Sequence, residues 1–168
     1  MSMEQSAVTT QSQTDVSTDD IKTEFIGLLN TLSAFKSQIT MISSQVKSLE
    51  KKVANLFGKK FGLMVNSGSS ANLLALSSFN FKPGSEVITP NLTFSTTVAP
   101  IYQLGLVPHF IGVQENKFLA NTDDIKKSIN KKTVAIMIPN LLGNVCDWKA
   151  IYKIAKKYKL KIIEDSAD

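Results

Sequence analysis

The stretch TVAIMIPNLLGNVCDWKAIYKIAKKYKLKIIED, residues 133–165, joins two short apolar runs through a longer, lysine-studded one. Thr133 to Pro139 is apolar at nearly every position, the pattern of a strand buried on both faces of a mostly parallel sheet, and Leu160, Ile162 and Ile163 mark a second, shorter strand over 160–165. Residues 147–158 between them read as a helix. Toward the N-terminus, further strands are expected at 107–113 (VPHFIGV), 85–90 (SEVITP) and 61–66 (FGLMVN), with helices near 122–130, 95–104 and 69–79. Strand and helix alternate from Gly58 onward, so the fold class is α/β, with helices on both faces of the sheet.

Upstream of Gly58 the pattern changes. Large apolar residues fall at Ile21, Phe25, Leu28, Leu32, Phe35, Ile39, Ile42, Val46, Leu49, Val53 and Leu56, alternating steps of four and three. This is a heptad seam of about five repeats, and it predicts one long helix over 19–57, with Asp19 or Asp20 as N-cap. So narrow a stripe either meets a partner helix in a coiled coil or bundle, or lies on the globular body. Residues 1–18 carry few large apolar side chains and cannot offset the entropy of ordering, so a flexible tail is expected there. The chain thus divides into a tail (1–18), a heptad helix (19–57) and an α/β part (58–168).

The composition, 43% hydrophobic and 20% charged over 168 residues, suits a soluble globular chain and excludes a fibrous or wholly disordered one. The net charge of +5 comes from lysines scattered along predicted helix faces, which fits solvated surfaces better than a nucleic-acid partner. No segment approaches a membrane span, and the polar N-terminus lacks the apolar core of a signal peptide. The single cysteine, Cys146, excludes an intrachain disulfide and is compatible with a reducing cytoplasm. His109 and Cys146 read as structural, since neither has a ligand or base partner at suggestive spacing.

Three elements carry candidate chemistry. At the first βα junction, Val65 to Asn72 (VNSGSSAN) is a turn of small residues opening a helix, where backbone N–H groups and the helix dipole converge on an anion, or where a serine merely caps the helix. After strand 85–90, Phe94 sits at the carboxyl edge of the sheet, where it either stacks on a flat heterocycle or packs in the core. The last strand ends in Glu164-Asp165-Ser166-Ala167-Asp168. A carboxylate leaving an apolar strand needs a partner, such as a protonated pyridine nitrogen, which the pairing keeps cationic and effective as an electron sink. A Mg²⁺ site is the competing reading, though Glu164 and Asp165 point to opposite faces of a strand and make poor co-ligands. No P-loop glycine precedes Gly58-Lys59-Lys60, and the Ser67–Ser70 turn has too few glycines for a dinucleotide fingerprint, so NAD is a minor alternative. No metal is expected.

Taken in order, NSGSSANLLAL, KPGSEVITPNLTFSTTVAPIYQLGLVPHFIGV, NTDDIKKSINKKTVAIMIPNLLGNVCDW and IIEDSAD resemble the DegT/StrS family of pyridoxal-phosphate (PLP) dependent nucleotide-sugar aminotransferases and dehydratases. The resemblance runs from about Leu49 to Asp168. It implies an incomplete fold type I large domain, preceded here by the long N-terminal helix, and PLP or its pyridoxamine form as cofactor. By the same resemblance Gly68 and Ser69 hold the cofactor phosphate, Phe94 stacks on the pyridine ring, and Asp165 pairs with the ring nitrogen. Asp168 stands where aminotransferases of the family usually carry a glutamine near the ring hydroxyl, and Asn140 replaces a frequent histidine.

These departures lean toward the 3-dehydratase branch, the aminotransferase being the first expectation. The Schiff-base lysine, or the histidine that can replace it, follows the Asp motif in the family and is expected beyond Asp168, so no catalytic residue is expected within 1–168 and the chain alone is expected to be inactive. The resemblance further implies a homodimer that takes a nucleotide-linked keto-sugar and an amino donor in polysaccharide biosynthesis in the cytoplasm, with no nucleic-acid or membrane partner. An inert remnant, or an interaction protein built on the heptad helix, is the alternative from another class.

Overall fold

The computed structural model describes residues 17–167, so most of the expected tail, and Asp168, lie outside the described residues. Two compact units divide the chain between Met64 and Val65.

In the first unit, α1 spans Thr18–Leu56, 39 residues, or about 58 Å at the usual rise. Its N-cap is Ser17 rather than Asp19 or Asp20: the Ser17 hydroxyl accepts the Asp19 and Asp20 N–H groups at 3.2 and 3.3 Å. The two aspartates occupy the first turn, where their charges suit the helix dipole. The seam residues from Ile21 to Ile42 all stand on the surface. Residues 61–66 are not a strand, contrary to the apolar run there. The Met64 N–H is taken by the Glu50 carboxylate at 2.8 Å rather than by a neighbouring strand. The segment passes so close to α1 that a Cβ at Gly62 would stand 2.7 Å from the Glu50 carbonyl oxygen.

The second unit is a four-stranded parallel sheet in the order β2-β1-β3-β4. Its strands are β1 (Glu86–Pro90), β2 (Val107–Ile111), β3 (Thr133–Pro139) and β4 (Lys161–Asp165). Helices α2 (Gly68–Ser77), α3 (Ser95–Gln103), α4 (Thr122–Ser128) and α5 (Trp148–Tyr158) begin and end within two residues of their expected limits. Three of the four starts have a side-chain cap. Ser67, Asn121 and Asp147 cap α2, α4 and α5 through side-chain oxygens. β2 stops at Ile111 rather than continuing to residue 113, because Val113 turns to an antiparallel bridge with Ala120.

The sheet buries both faces. Val87, Ala135, Met137 and Ile163 pack with Leu76 of α2 and Ile101 of α3. Ile88, Ile136 and Ile138 pack with Ile125 of α4 and Ile151 and Ile154 of α5. Consecutive residues of one strand thus feed opposite cores, the two-residue period of a pleated strand. Each fully buried Ile, Leu or Met stabilises the fold by roughly 1.5–3 kcal/mol, which is why β3 reads as an unbroken apolar run from Val134 to Pro139. The chain goes from β1 outward to β2, then returns to the other side of β1 for β3 and β4. The strand order therefore reverses between β1 and β3, and the crevice at their carboxyl ends is where open α/β sheets bind ligands.

Candidate cofactor site

Asp165 ends β4 on the face of the sheet covered by α2 and α3, two residues after Ile163 of that core. Its Oδ2 accepts two hydrogen bonds of 2.8 Å, from Asn72 Nδ2 on α2 and from Thr97 Oγ1 on α3. Both donors are buried. Asn72 Nδ2 also reaches the Thr96 carbonyl at 3.3 Å. Pro100 sits inside α3, and having no N–H it cannot bond the carbonyl four residues earlier, so the Thr96 oxygen is left for Asn72. The two donors fix the carboxylate and occupy one of its oxygens; the other has no protein partner among the described residues.

The serine-rich turn arrives beside this acid. The Ser67 hydroxyl caps α2 by accepting the Ser70 N–H at 3.2 Å and donates to Ser70 Oγ at 3.1 Å. That leaves the N–H groups of Gly68 and Ser69 without acceptors inside the helix, the arrangement that binds anions at helix N-termini. A Cβ at Gly68 would lie 3.8 Å from Ala167 Cβ, so the turn and the segment just past Asp165 are in contact range. Ser69 is exposed.

Phe94 occupies the N-cap position of α3, and its carbonyl accepts the Thr97 N–H at 3.0 Å. One turn of helix therefore links the exposed ring of Phe94 to the Asp165 partner Thr97. The ring lines a groove of about 290 Å³ with Leu92, Thr93, Phe118, Leu141 and Leu142. The groove joins the loops after β1 and β3, at the point where the strand order reverses. Phe118 and Leu142 each hold a left-handed backbone of φ 57°, a conformation that costs a side-chain-bearing residue of order 1 kcal/mol. Of the five expected cofactor contacts, Gly68, Ser69, Phe94 and Asp165 thus gather at the carboxyl edge of one sheet, and Asp168 lies outside the described residues.

Glu164 takes the opposite face. Its Oε1 accepts Asn140 Nδ2 at 2.9 Å, and the same amide nitrogen donates to Ser166 Oγ at 2.9 Å. Asn140 Oδ1 accepts the Trp148 indole N–H at 2.9 Å and the Cys146 N–H at 3.2 Å, and its own N–H donates to the Asp165 carbonyl at 2.9 Å. One buried carboxamide thus joins the ends of β3 and β4 to the start of α5. The carboxylates of Glu164 and Asp165 take their hydrogen bonds from different donors, and no group of acids, histidines or cysteines suited to a metal ion occurs among the described residues.

His109 does have an acidic partner, which its sequence spacing did not show. Its Nδ1 lies 3.0 Å from Glu86 Oε2, an oxygen that also accepts Asn130 Nδ2 at 2.7 Å. The Asn130 bond first, then the His109 bond, holds the Glu86 carboxyl below its ordinary range. This cluster includes the first residue of β1, at the amino end of the strand, away from the groove. Cys146 is buried, and its desolvation pushes the thiol up from its ordinary value, as suits an inert residue.

Residues 19–168 match the DegT/DnrJ/EryC1/StrS aminotransferase family. The chain belongs to that family. A GDP-4-keto-6-deoxy-D-mannose 3-dehydratase from Yersinia pseudotuberculosis is 38% identical over 79% of this chain and 35% of its own length. A dTDP-4-dehydro-2,6-dideoxy-D-glucose 3-dehydratase from Saccharopolyspora spinosa is 42% identical over 73% of this chain and 28% of its own. Aminotransferases of the family match as well. Among solved structures, the E. coli GDP-4-keto-6-deoxy-D-mannose-3-dehydratase with bound hydrated PLP superimposes with a TM-score of 0.68 at 32% identity, over 79% of this chain and 37% of that one. The chain thus spans about a third of the length of the family members it matches. The α/β fold with its parallel sheet is that of the PLP-dependent family members.

Asn72 and Thr97 are not among the site residues expected from the sequence. Each is a polar residue four positions before a buried aliphatic, Leu76 or Ile101, and so lies on the inward face of its helix. A hydrogen-bonding side chain on an inward face needs a partner, and that was the available signal.

Proposed function

We propose that this chain holds the cofactor of a PLP-dependent enzyme acting on a nucleotide-linked 4-keto-sugar. The observation that carries this is the meeting of Asp165, gripped by Asn72 and Thr97, with the open N-terminus of α2. The residues fit the group. Gly68 and Ser69 offer two backbone N–H donors and no bulky side chain to a phosphate, Asp165 offers an oxygen to a protonated ring nitrogen, and Phe94 offers a ring face in the groove. Bound there, PLP would supply an electron sink for carbanion chemistry. The protein's share is positioning: Asn72 and Thr97 orient the acid, α2 anchors the anionic end, and the apolar walls of Leu92, Leu141 and Leu142 exclude water.

Of the two activities the family offers, 3-dehydration is the better supported. Both curated relatives named above and the solved structure carry that activity in their names, and the first two are 38% and 42% identical. The reading includes a homodimer, by the family resemblance, and a cytoplasmic setting, supported by a lone, buried, reduced cysteine.

Pyridoxamine 5′-phosphate is the probe of choice for binding, because it has no aldehyde to react with surface lysines. Isothermal titration should show saturable binding by the chain, weakened at least tenfold, about 1.4 kcal/mol, in Asp165→Ala. Equal affinity in the two proteins would remove the assignment. For the reaction, a holoprotein containing this chain, given a GDP-4-keto-6-deoxy-sugar and glutamate, should yield a product lacking the 3-hydroxyl. An amino-sugar nucleotide instead would return the chain to the aminotransferase branch.

A further inference from the structure

We infer that α1 is a self-association surface, through which two copies of this chain pair in parallel and in register as a two-stranded coiled coil. The inference rests on residues 18–56 alone and stands apart from the cofactor reading. From Ile21 to Ile42 every residue of the heptad seam is 56–68% exposed, where a soluble chain rarely leaves a continuous apolar stripe open to water. The seam keeps steps of four and three to Leu56 without a stutter, and that 3.5-residue period runs straight only along a helix supercoiled with another of the same period.

Several observations name the occupant. A second copy brings the same seam at the same 39-residue length. With Phe25 as an a position, Leu32, Ile39, Val46 and Val53 also fall at a, and Leu28, Phe35, Ile42, Leu49 and Leu56 at d, so from Phe25 onward three of the five a positions are β-branched and three of the five d positions are leucine. β-branched residues at a with leucine at d favour parallel pairs. The flanking positions then cross as Glu24 against Leu29, Thr31 against Lys36 and Gln45 against Glu50, and no crossing sets like charges together. Removing on the order of 100 Å² from each of the ten or so exposed seam residues gives roughly 1,000 Å² per partner, enough for the ~800 Å² of a standard interface.

The test uses the whole 168-residue chain. Light scattering should give about twice the single-chain mass of 18.4 kDa, and Leu32→Glu with Ile39→Glu should return it to the single-chain mass at the same concentration. Both sites are exposed and glutamate is a good helix former, so unchanged circular dichroism in the α/β signature will show that the variant is folded. Separately, Leu28→Cys should give a disulfide-linked dimer under mild oxidation, while the parent chain, with only buried Cys146, should not. A single-chain mass for the parent at 100 µM overturns the inference. So does a double variant that keeps the parent's mass, which would place the contact elsewhere, or a Leu28→Cys chain that forms no linked dimer.

Discussion

Asn72 and Asp165 lie 93 residues apart in sequence and meet through a 2.8 Å hydrogen bond. The bond ties the second turn of α2 to the tip of β4, so the helix whose N-terminus offers two free N–H groups is indexed against the acid at the strand's end. If Asp165 serves a ring nitrogen, its donors should matter to cofactor affinity without touching the cofactor. Asn72→Ala and Thr97→Val should each weaken pyridoxamine phosphate binding about tenfold, and the double variant should lose less than the product, because both donors share one oxygen. Thr97→Val should also cost about 1 kcal/mol of stability. Calorimetric titration beside urea unfolding separates the two effects, and wild-type affinity in both single variants would show that the acid needs no orienting.

Gly68 offers a sharper separation of binding from folding. Its φ is not in the left-handed region, and an added Cβ would meet Ala167 at an ordinary 3.8 Å. Gly68→Ala should therefore leave stability unchanged or raise it by up to about 1 kcal/mol, since glycine is the weaker helix former. The same methyl group would crowd an anion approaching the first N–H of α2, so affinity for inorganic phosphate and for pyridoxamine phosphate should fall. Unaltered binding with improved stability would mean that no phosphate sits at this turn.

Strands β1 and β3 were legible because burial on both faces fills them with apolar residues, β4 from the Ile162-Ile163 pair that follows the α5 pattern, and the helices because capping residues and turns punctuate them. The run at 61–66 misled for a physical reason: apolar composition favours a strand only where a ladder partner exists, and here Met64 spends its N–H on Glu50. Asp165 and Phe94 could be singled out because their positions at strand and helix ends are local facts. Asn72, Thr97 and the pairing of His109 with Glu86 could not, since each depends on which elements become neighbours across the sheet. Register supplies that: Ile88 lies opposite His109 and Glu86 opposite Val107, which brings Glu86 and His109 within diagonal reach.

That cluster has a pH consequence. The Asn130 amide and then His109, with Lys132 nearby, hold the Glu86 carboxyl below its ordinary value of 4.5. A carboxyl whose pKa is lower in the folded than in the unfolded chain contributes stability that is complete above 4.5 and is lost as pH falls through the folded value. Glu86→Gln should thus lower stability at pH 7 and flatten the acid limb of the stability curve below pH 4.5, with little further change between pH 6 and 8. Urea midpoints measured from pH 3 to pH 8 will show this, and parallel curves for the two proteins would mean that Glu86 is not the group that titrates.

Asn140 is the most heavily bonded side chain near the groove, and its loss should be felt in two places. Asn140→Ala strips the acceptor from the Trp148 indole and the Cys146 N–H, and the donor from Glu164 and Ser166. With two donors left unmatched in a buried setting, the cost should be about 2–4 kcal/mol. Trp148 is the only tryptophan, so its emission should shift in the folded variant before any denaturant is added. Because the Asn140 backbone N–H still bonds the Asp165 carbonyl, β4 should keep its register while Glu164 and Ser166 lose their tether. Pyridoxamine phosphate binding should then weaken by less than in Asn72→Ala. A loss of binding as large as that of Asp165→Ala would instead make the amide network on the far face of the strand the stronger determinant of where the acid stands.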